Sequence, residues 1–280
     1  MVELKLEDYN LMINTVTKVT DVISKEQRSL ISSRYKRVTQ AINREFWSSD
    51  SDTAHSFYVG SYGRGTAVDT SDIDILVEIP QTEYENHNNI RGNGQSRLLQ
   101  AVRGAVMSTY PKSTVRADGQ VVKIDFSDGI KFEILPAFKN FSWTGIWDGT
   151  YTYADTNDGG HWKSTNPKAE QETMELKNKE SNGLLYDTCK HMREIRDKHF
   201  SSYHLSGIVI DSYVYSHIGG WYWPVSGETS TTPHGTYEKK LRDESNSYFM
   251  SLNAPGSGDY VDATDSLNCL NKVLQFMAKE

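Results

Sequence analysis

The chain has 280 residues and a net charge of -7, from 30 basic and 37 acidic side chains; its length predicts one large or two modest domains, and its acidic balance disfavours coating of nucleic acid, which needs a net basic surface. The aromatic content of 11% argues against disorder, and no apolar run reaches the roughly 20 residues that cross a bilayer. The opening MVELKLEDYN lacks a secretory pattern, and two cysteines, Cys189 and Cys269, exclude a disulfide framework or a cysteine-rich zinc site, so the expected compartment is the cytoplasm.

The first 47 residues read as two helices. Tyr9, Met12, Val16, Val19 and Ile23 recur at steps of three and four. Ser24 and Gln27 form a capping-box pattern that opens the second, whose apolar face is Ile31, Tyr35, Val38, Ile42 and Phe46. Its other face is basic, with Arg28, Arg34, Lys36, Arg37 and Arg44, and reads as a solvated face. After a polar connector at 48–55, Phe57, Tyr58 and Val59 predict a strand and residues 73–79 another. Residues 81–96 read as a loop, and Leu98, Leu99, Val102, Val106 and Tyr110 as a helix. Strands are expected at 121–126 and 131–135, joined by the turn Ser127-Asp128-Gly129. Residues 148–166 read as a crossing loop, and Asn166-Pro167 as a helix start. Leu185, Cys189, Met192 and Ile195 continue the helical pattern. Periodicity leaves 204–218 open between strand and helix, with a buried helix favoured; 219–262 is rich in Gly, Ser, Thr and Pro and is expected to contain an exposed loop, and Leu267, Leu270, Leu274 and Met277 predict a last helix. Helices mixed with paired strands imply an α/β or α+β core.

The chemistry concentrates between Gly60 and Glu78. A Gly-Ser turn directly after a strand offers backbone N–H groups and the Ser61 hydroxyl to phosphate oxygens. Asp72 and Asp74 follow, and residues i and i+2 of a strand share a face, so the two carboxylates stand together opposite Ile73 and Ile75. Their mutual repulsion is relieved by a divalent cation, and hard oxygen ligands suit Mg²⁺ or Mn²⁺. A third acid is expected from another strand: Glu133, between the apolar Phe132 and Ile134, with Asp125 as a competitor that spacing does not separate. The histidines show no metal-ligand spacing.

GSYGRGT, SDIDI and FEILPAF resemble the active-site motifs of the DNA polymerase β-like nucleotidyltransferases, and more specifically those of the bacterial CD-NTases, relatives of the cyclic GMP–AMP and oligoadenylate synthases. Arg64-Gly65-Thr66, the stretch GGHWKSTNPKAE (159–170) and the 22-residue step from Lys190 to Ser212-Tyr213 favour that branch. The resemblance implies an α+β fold. A polymerase β-like core of mixed sheet and flanking helices, with a long N-terminal helix, is expected at 1–165, and a helical domain at 166–280. It implies that Asp72, Asp74 and Glu133 are catalytic and hold the metal. Gly60 and Ser61 of the turn, Lys190 and Ser212 would hold the triphosphate, with Tyr213 stacked on a base. Glu133 departs from the usual aspartate. The implied activity is the joining of nucleoside triphosphates into a cyclic di- or oligonucleotide messenger in antiphage signalling, whose effector would recognise the product. Transfer of a nucleotide to a protein, an RNA end or a small molecule would use the same acids. The acidic balance and the lack of a zinc cluster argue against a nucleic-acid activator.

Overall fold

The computed structural model describes residues 14–19, 22–69, 71–225, 228, 232–245 and 251–279. The chain forms two compact units. One, the sheet unit, comprises Ile23–Gly63 and Asp69–Ala169. The other, the helical unit, comprises Arg64–Val68 and the described residues before Ile23 and after Ala169, so that the short Arg64–Val68 segment groups with the helices rather than with the sheet.

The sheet unit opens with α1 (Lys25–Trp47). Its capping box forms as expected: Gln27 N–H donates to Ser24 Oγ at 3.1 Å, and the Gln27 side chain accepts from Ser24 N–H at 3.2 Å. The predicted first helix lies mostly outside the described residues, and 16–19 carry no regular structure. Next come β1 (Ser56–Tyr58), the helical turn Gly60–Gly63, β2 (Ile73–Glu78), α2 (Gln81–Asn88) and α3 (Gly94–Thr109). Residues 81–96, expected as loop, thus hold a polar helix and the start of an amphipathic one, capped where Asn93 Oδ1 accepts from Ser96 N–H at 2.8 Å. The strands β3 (Thr114–Asp118), β4 (Val121–Asp125), β5 (Lys131–Phe141), β6 (Trp147–Asp155) and β7 (His161–Thr165) complete the sheet.

Strand order is β1-β2-β5-β4-β3, and β6 bridges β5 to β7. β2 and β5 run parallel and the other pairs antiparallel, which makes the sheet mixed. The stretch 148–166, expected as a crossing loop, is mostly β6 and β7; its Gly, Asp and Thr content reads as loop, yet Tyr151 and Ala154, three residues apart and so on opposite faces of β6, are both buried. α1 and α3 cover one sheet face through Ile31, Val38, Ile42, Leu98, Leu99 and Val102, packed on Ile73, Ile75, Ile124, Phe132 and Ile134. Full burial of such side chains contributes about 1.5–3 kcal/mol each. Alternation turns Asp74, Glu133 and Lys123 to the opposite face.

α4 (Pro167–Glu180) begins where Asn166 Oδ1 accepts from Ala169 N–H at 3.1 Å, the expected cap. The helical unit then builds a second core from α5 (Leu184–His199), α6 (Gly207–His217), α7 (Thr236–Ser245) and α8 (Leu267–Met277), with the short pair β8 (Leu252–Asn253) and β9 (Tyr260–Val261). The favoured helix over 204–218 is present, and the stretch 219–262, expected to contain an exposed loop, has residues 221–225 without regular structure and also holds α7, β8 and β9. Among the described residues no helix is long and apolar enough to cross a membrane.

Candidate active site

The site grows from two neighbouring parallel strands. β2 and β5 pair in a register that sets Asp74 directly beside Glu133. Asp72 lies just before β2, two residues from Asp74. Asp125 lies on β4, on the far side of β5 from β2, and pairs in register with Lys131. Two strand spacings, about 10 Å, therefore separate it from β2, and its carboxylate is 3.0 Å from Arg116 Nη2. Register thus separates the two candidates for the third acid: Glu133 adjoins Asp74, and Asp125 does not.

The Gly-Ser turn meets the acids from β1. Val59 N–H donates to the Asp74 carbonyl at 2.8 Å, which fixes the end of β1 against the DxD strand. Gly60 has φ +58, and a Cβ there would lie 1.9 Å from Asp74 Oδ2. The Asp74 carboxylate therefore rests against a bare Cα, and the position needs glycine both for its conformation and for its space. Ser61 is half-buried in the same turn. Tyr62 backs the turn: its ring lies 4.7 Å from that of Tyr58, which stacks at 4.4 Å on Tyr35 of α1. This aromatic column ties the turn to the long helix.

The electrostatics set these acids against two nearby lysines, Lys131 and Lys123. Asp72 reaches solvent, yet partial desolvation, and then the charge of Glu133, push its carboxyl above the ordinary aspartate range, against the pull of Lys131 and Lys123. Glu133 is bonded to Lys123, whose Nζ lies 3.1 Å from Glu133 Oε1. Three carboxylates gathered at neighbouring strands, one of them disfavouring its own charge, are a donor set that fits a hard divalent cation. Among the described residues no three acidic side chains already converge as a metal cage. Glu133 turns instead to the ammonium, a partner that spacing along one strand does not reveal.

Lys190, Ser212 and Tyr213 belong to the helical unit. Lys190 is half-exposed on α5. Two expectations need correction. Tyr213 offers no face to a base: it is fully buried, stacked at 4.3 Å on His217, and its hydroxyl donates to the Leu241 carbonyl. Ser212 is fully buried too, and its Oγ has no hydrogen-bond partner among the described residues, so it does not stand at a ligand-facing surface. Both follow from α6, whose apolar side chains (Val209, Ile210, Val214) place it inside the helical core.

Arg64 is settled as a bracing residue. Its Nε donates to Asp211 Oδ2 at 2.9 Å and its Nη1 to Glu170 Oε2 at 2.8 Å, while Arg193 Nη1 donates to Asp211 Oδ1 at 2.7 Å and Thr66 Oγ1 to Asp211 Oδ2 at 3.0 Å. Burial pushes the Asp211 carboxyl up, but Arg193 and Arg64 more than reverse this and leave it below the ordinary range. Gly65, with φ +78, lies so close to the Tyr186 ring that a Cβ would come within 2.6 Å of it. The motif Arg64-Gly65-Thr66 is therefore an anchor.

Comparison with known proteins bears on this arrangement. The family profile described as Second Messenger Oligonucleotide or Dinucleotide Synthetase domain matches residues 16–178. No protein of curated function matches the chain in sequence. Among solved structures, the fold is similar to the CdnE cyclic dinucleotide synthase of Elizabethkingia meningoseptica with GTP and Apcpp, at 16% identity over 96% of this chain and 96% of that one, TM-score 0.61. It is similar to the CdnE c-UMP-AMP synthase of Rhodothermus marinus, at 13% identity over 97% and 94%, TM-score 0.62. It is also similar to the STING-associated CdnE c-di-GMP synthase of Capnocytophaga granulosa, at 14% identity over 98% and 86%, TM-score 0.63.

Proposed function

The chain belongs to the Second Messenger Oligonucleotide or Dinucleotide Synthetase domain family, and we propose that it joins nucleoside triphosphates, ATP or GTP among them, into a cyclic di- or oligonucleotide that serves as a messenger in antiphage signalling. The observation that carries this reading is the register of Asp74 beside Glu133, with Asp72 two residues before and the bare Cα of Gly60 against Asp74.

In this reading Asp72, Asp74 and Glu133 hold Mg²⁺ or Mn²⁺. When bound, the metal supplies positive charge to the transferring phosphoryl group and acidifies the attacking hydroxyl. The backbone N–H groups and hydroxyl of the Gly60-Ser61 turn orient the triphosphate. Glu133, nearest neighbour of Asp74, accepts the proton of the attacking ribose hydroxyl. The hydroxyl oxygen then bonds to the α-phosphorus, the bond from that phosphorus to the bridging oxygen breaks, and pyrophosphate leaves. A second such transfer within the linear product closes the ring. Messenger synthesis of this kind takes place in the cytoplasm, and the downstream effector reads the product.

Duplex nucleic acid is not needed as an activator. Supporting this, the basic face of α1 is partly neutralised within the chain: Arg34 makes a bidentate pair with Asp128 at 2.8 and 2.6 Å, Arg44 pairs with Asp50 at 2.5 Å, and Lys36 lies 3.9 Å from Asp52.

Purified protein incubated with labelled ATP, GTP, CTP and UTP and Mg²⁺ or Mn²⁺ should yield pyrophosphate and a phosphatase-resistant product whose mass is that of a cyclic nucleotide. Linear products only, or transfer to a supplied acceptor, would overturn ring synthesis. A strong, salt-sensitive rise with duplex DNA or RNA would overturn the activator statement.

A further inference from the structure

The third acid has a competitor for any metal built into the sheet. The pairing that sets Glu133 beside Asp74 on β2 also sets Lys123 of β4 opposite Glu133 on its other flank. Directly opposed residues of an antiparallel pair face the same side with Cβ atoms about 5 Å apart. The backbone thus dictates the contact. Lys123 Nζ lies 3.1 Å from Glu133 Oε1 and also 3.1 Å from Asp118 Oδ2. The ammonium is bonded between two carboxylates, of which one belongs to the site and the other, Asp118, stands outside it with 64% of its side chain exposed. A cation so held can leave Glu133 and keep a counter-ion.

Resting on the reading of Asp72, Asp74 and Glu133 as metal ligands, we propose that Lys123 is a positioning residue: it holds Glu133 in the metal-free site and moves to Asp118 when a divalent cation takes that carboxylate, so that the Glu133–Lys123–Asp118 set tunes metal affinity. The ammonium and the metal need the same carboxylate. Lys123 and Glu133 keep 31% and 27% side-chain exposure, and a pair this open to water is weak, so the competition is worth up to about fivefold in metal affinity. That is enough to adjust loading without preventing it.

The test is Mn²⁺ binding without nucleotide, read by electron paramagnetic resonance of free Mn²⁺ titrated into the full chain. Lys123→Met should bind about fivefold more tightly than the wild type, Lys123→Arg should return to near wild-type affinity, and Asp118→Asn should bind about twofold more weakly because the ammonium loses its alternative partner. Asp118 is exposed, so that variant reports even if Lys123→Met is poorly folded by circular dichroism. Unchanged or weaker binding in Lys123→Met, or tighter binding in Asp118→Asn, would overturn the role of Lys123 while leaving the metal site intact. No Mn²⁺ binding by the wild type, or binding undiminished in Asp72→Asn/Asp74→Asn, would remove the metal site itself and this inference with it.

Discussion

The two units use charge in opposite ways. In the helical unit Arg64, Arg193, Glu170 and Asp211 are buried and answer one another with short hydrogen bonds. In the sheet unit Asp72, Asp74 and Glu133 stand at neighbouring strands, partly open to water, and Asp72 is held above its ordinary range. The first arrangement is a closed set whose charges satisfy each other, and it anchors the Arg64-Gly65-Thr66 segment. The second is partly open to water, with Lys123 bonded to Glu133 and with Lys131 and Lys123 pulling on Asp72. Both contain acid clusters of similar size. What separates the two clusters is burial: the helical set is closed off from water, while the sheet acids and their lysines stay partly open to it.

The sharpest way to break this contrast is to remove the sheet acids. Asp72→Asn/Asp74→Asn is expected to lower product formation by about a thousandfold or more, since several kcal/mol of transition-state charge stabilisation disappear. Retained product by mass spectrometry would end the metal assignment. The matching change in the helical unit should act on stability. Asp211→Ala leaves two buried guanidinium groups without their shared carboxylate and should cost about 3–5 kcal/mol in urea unfolding. A cost within error of zero would show that the network is no anchor.

Gly60→Ala tests the join between turn and acid. The new methyl group overlaps Asp74 Oδ2 and the backbone is left-handed there, so activity should fall about ten- to a hundredfold while most of the fold survives. Normal activity would mean that the Asp74 carboxylate is not held by the turn.

Acid titration separates the two clusters by sign. The Asp211 value is depressed, so its stabilising contribution is present above the unfolded aspartate value near 3.9 and is lost as pH falls through the folded value. The Asp72 value is raised, so any contribution is present below about 3.9 and is lost as pH rises through the folded value. Replacing Asp211 by Asn should therefore flatten the low-pH limb of the urea midpoint, whereas Asp72→Asn should slightly raise the midpoint at neutral pH. The same sign in both variants would erase the distinction. The smallest effect is expected from Asp125→Asn, less than about threefold in activity, because its partner is a surface arginine. A loss as large as that of Glu133→Gln would make Asp125 the third acid.

Much of this was legible in local patterns. The Ser24–Gln27 box, the Asn166 cap and the shared face of Asp72 and Asp74 depend on residues two to four apart, and such geometry is set by backbone periodicity alone. Strands 147–155 and 161–165 were not legible, because their polar residues look like loop composition until neighbouring strands supply the hydrogen bonds. Tyr213 failed for a related reason: spacing from Lys190 says nothing about which face of α6 meets the core.

By itself, then, the sequence determined the α+β composition, the helix starts, and a Gly-Ser turn followed by a carboxylate pair on one face. Tertiary structure alone decided that Glu133 rather than Asp125 adjoins Asp74, that Lys123 pairs with Glu133, and that Arg64 is an anchor. Each of those depends on strand register or on a partner far along the chain, such as Asp211, 147 residues from Arg64. Contacts of that kind are fixed by how elements pack, and no local periodicity encodes them.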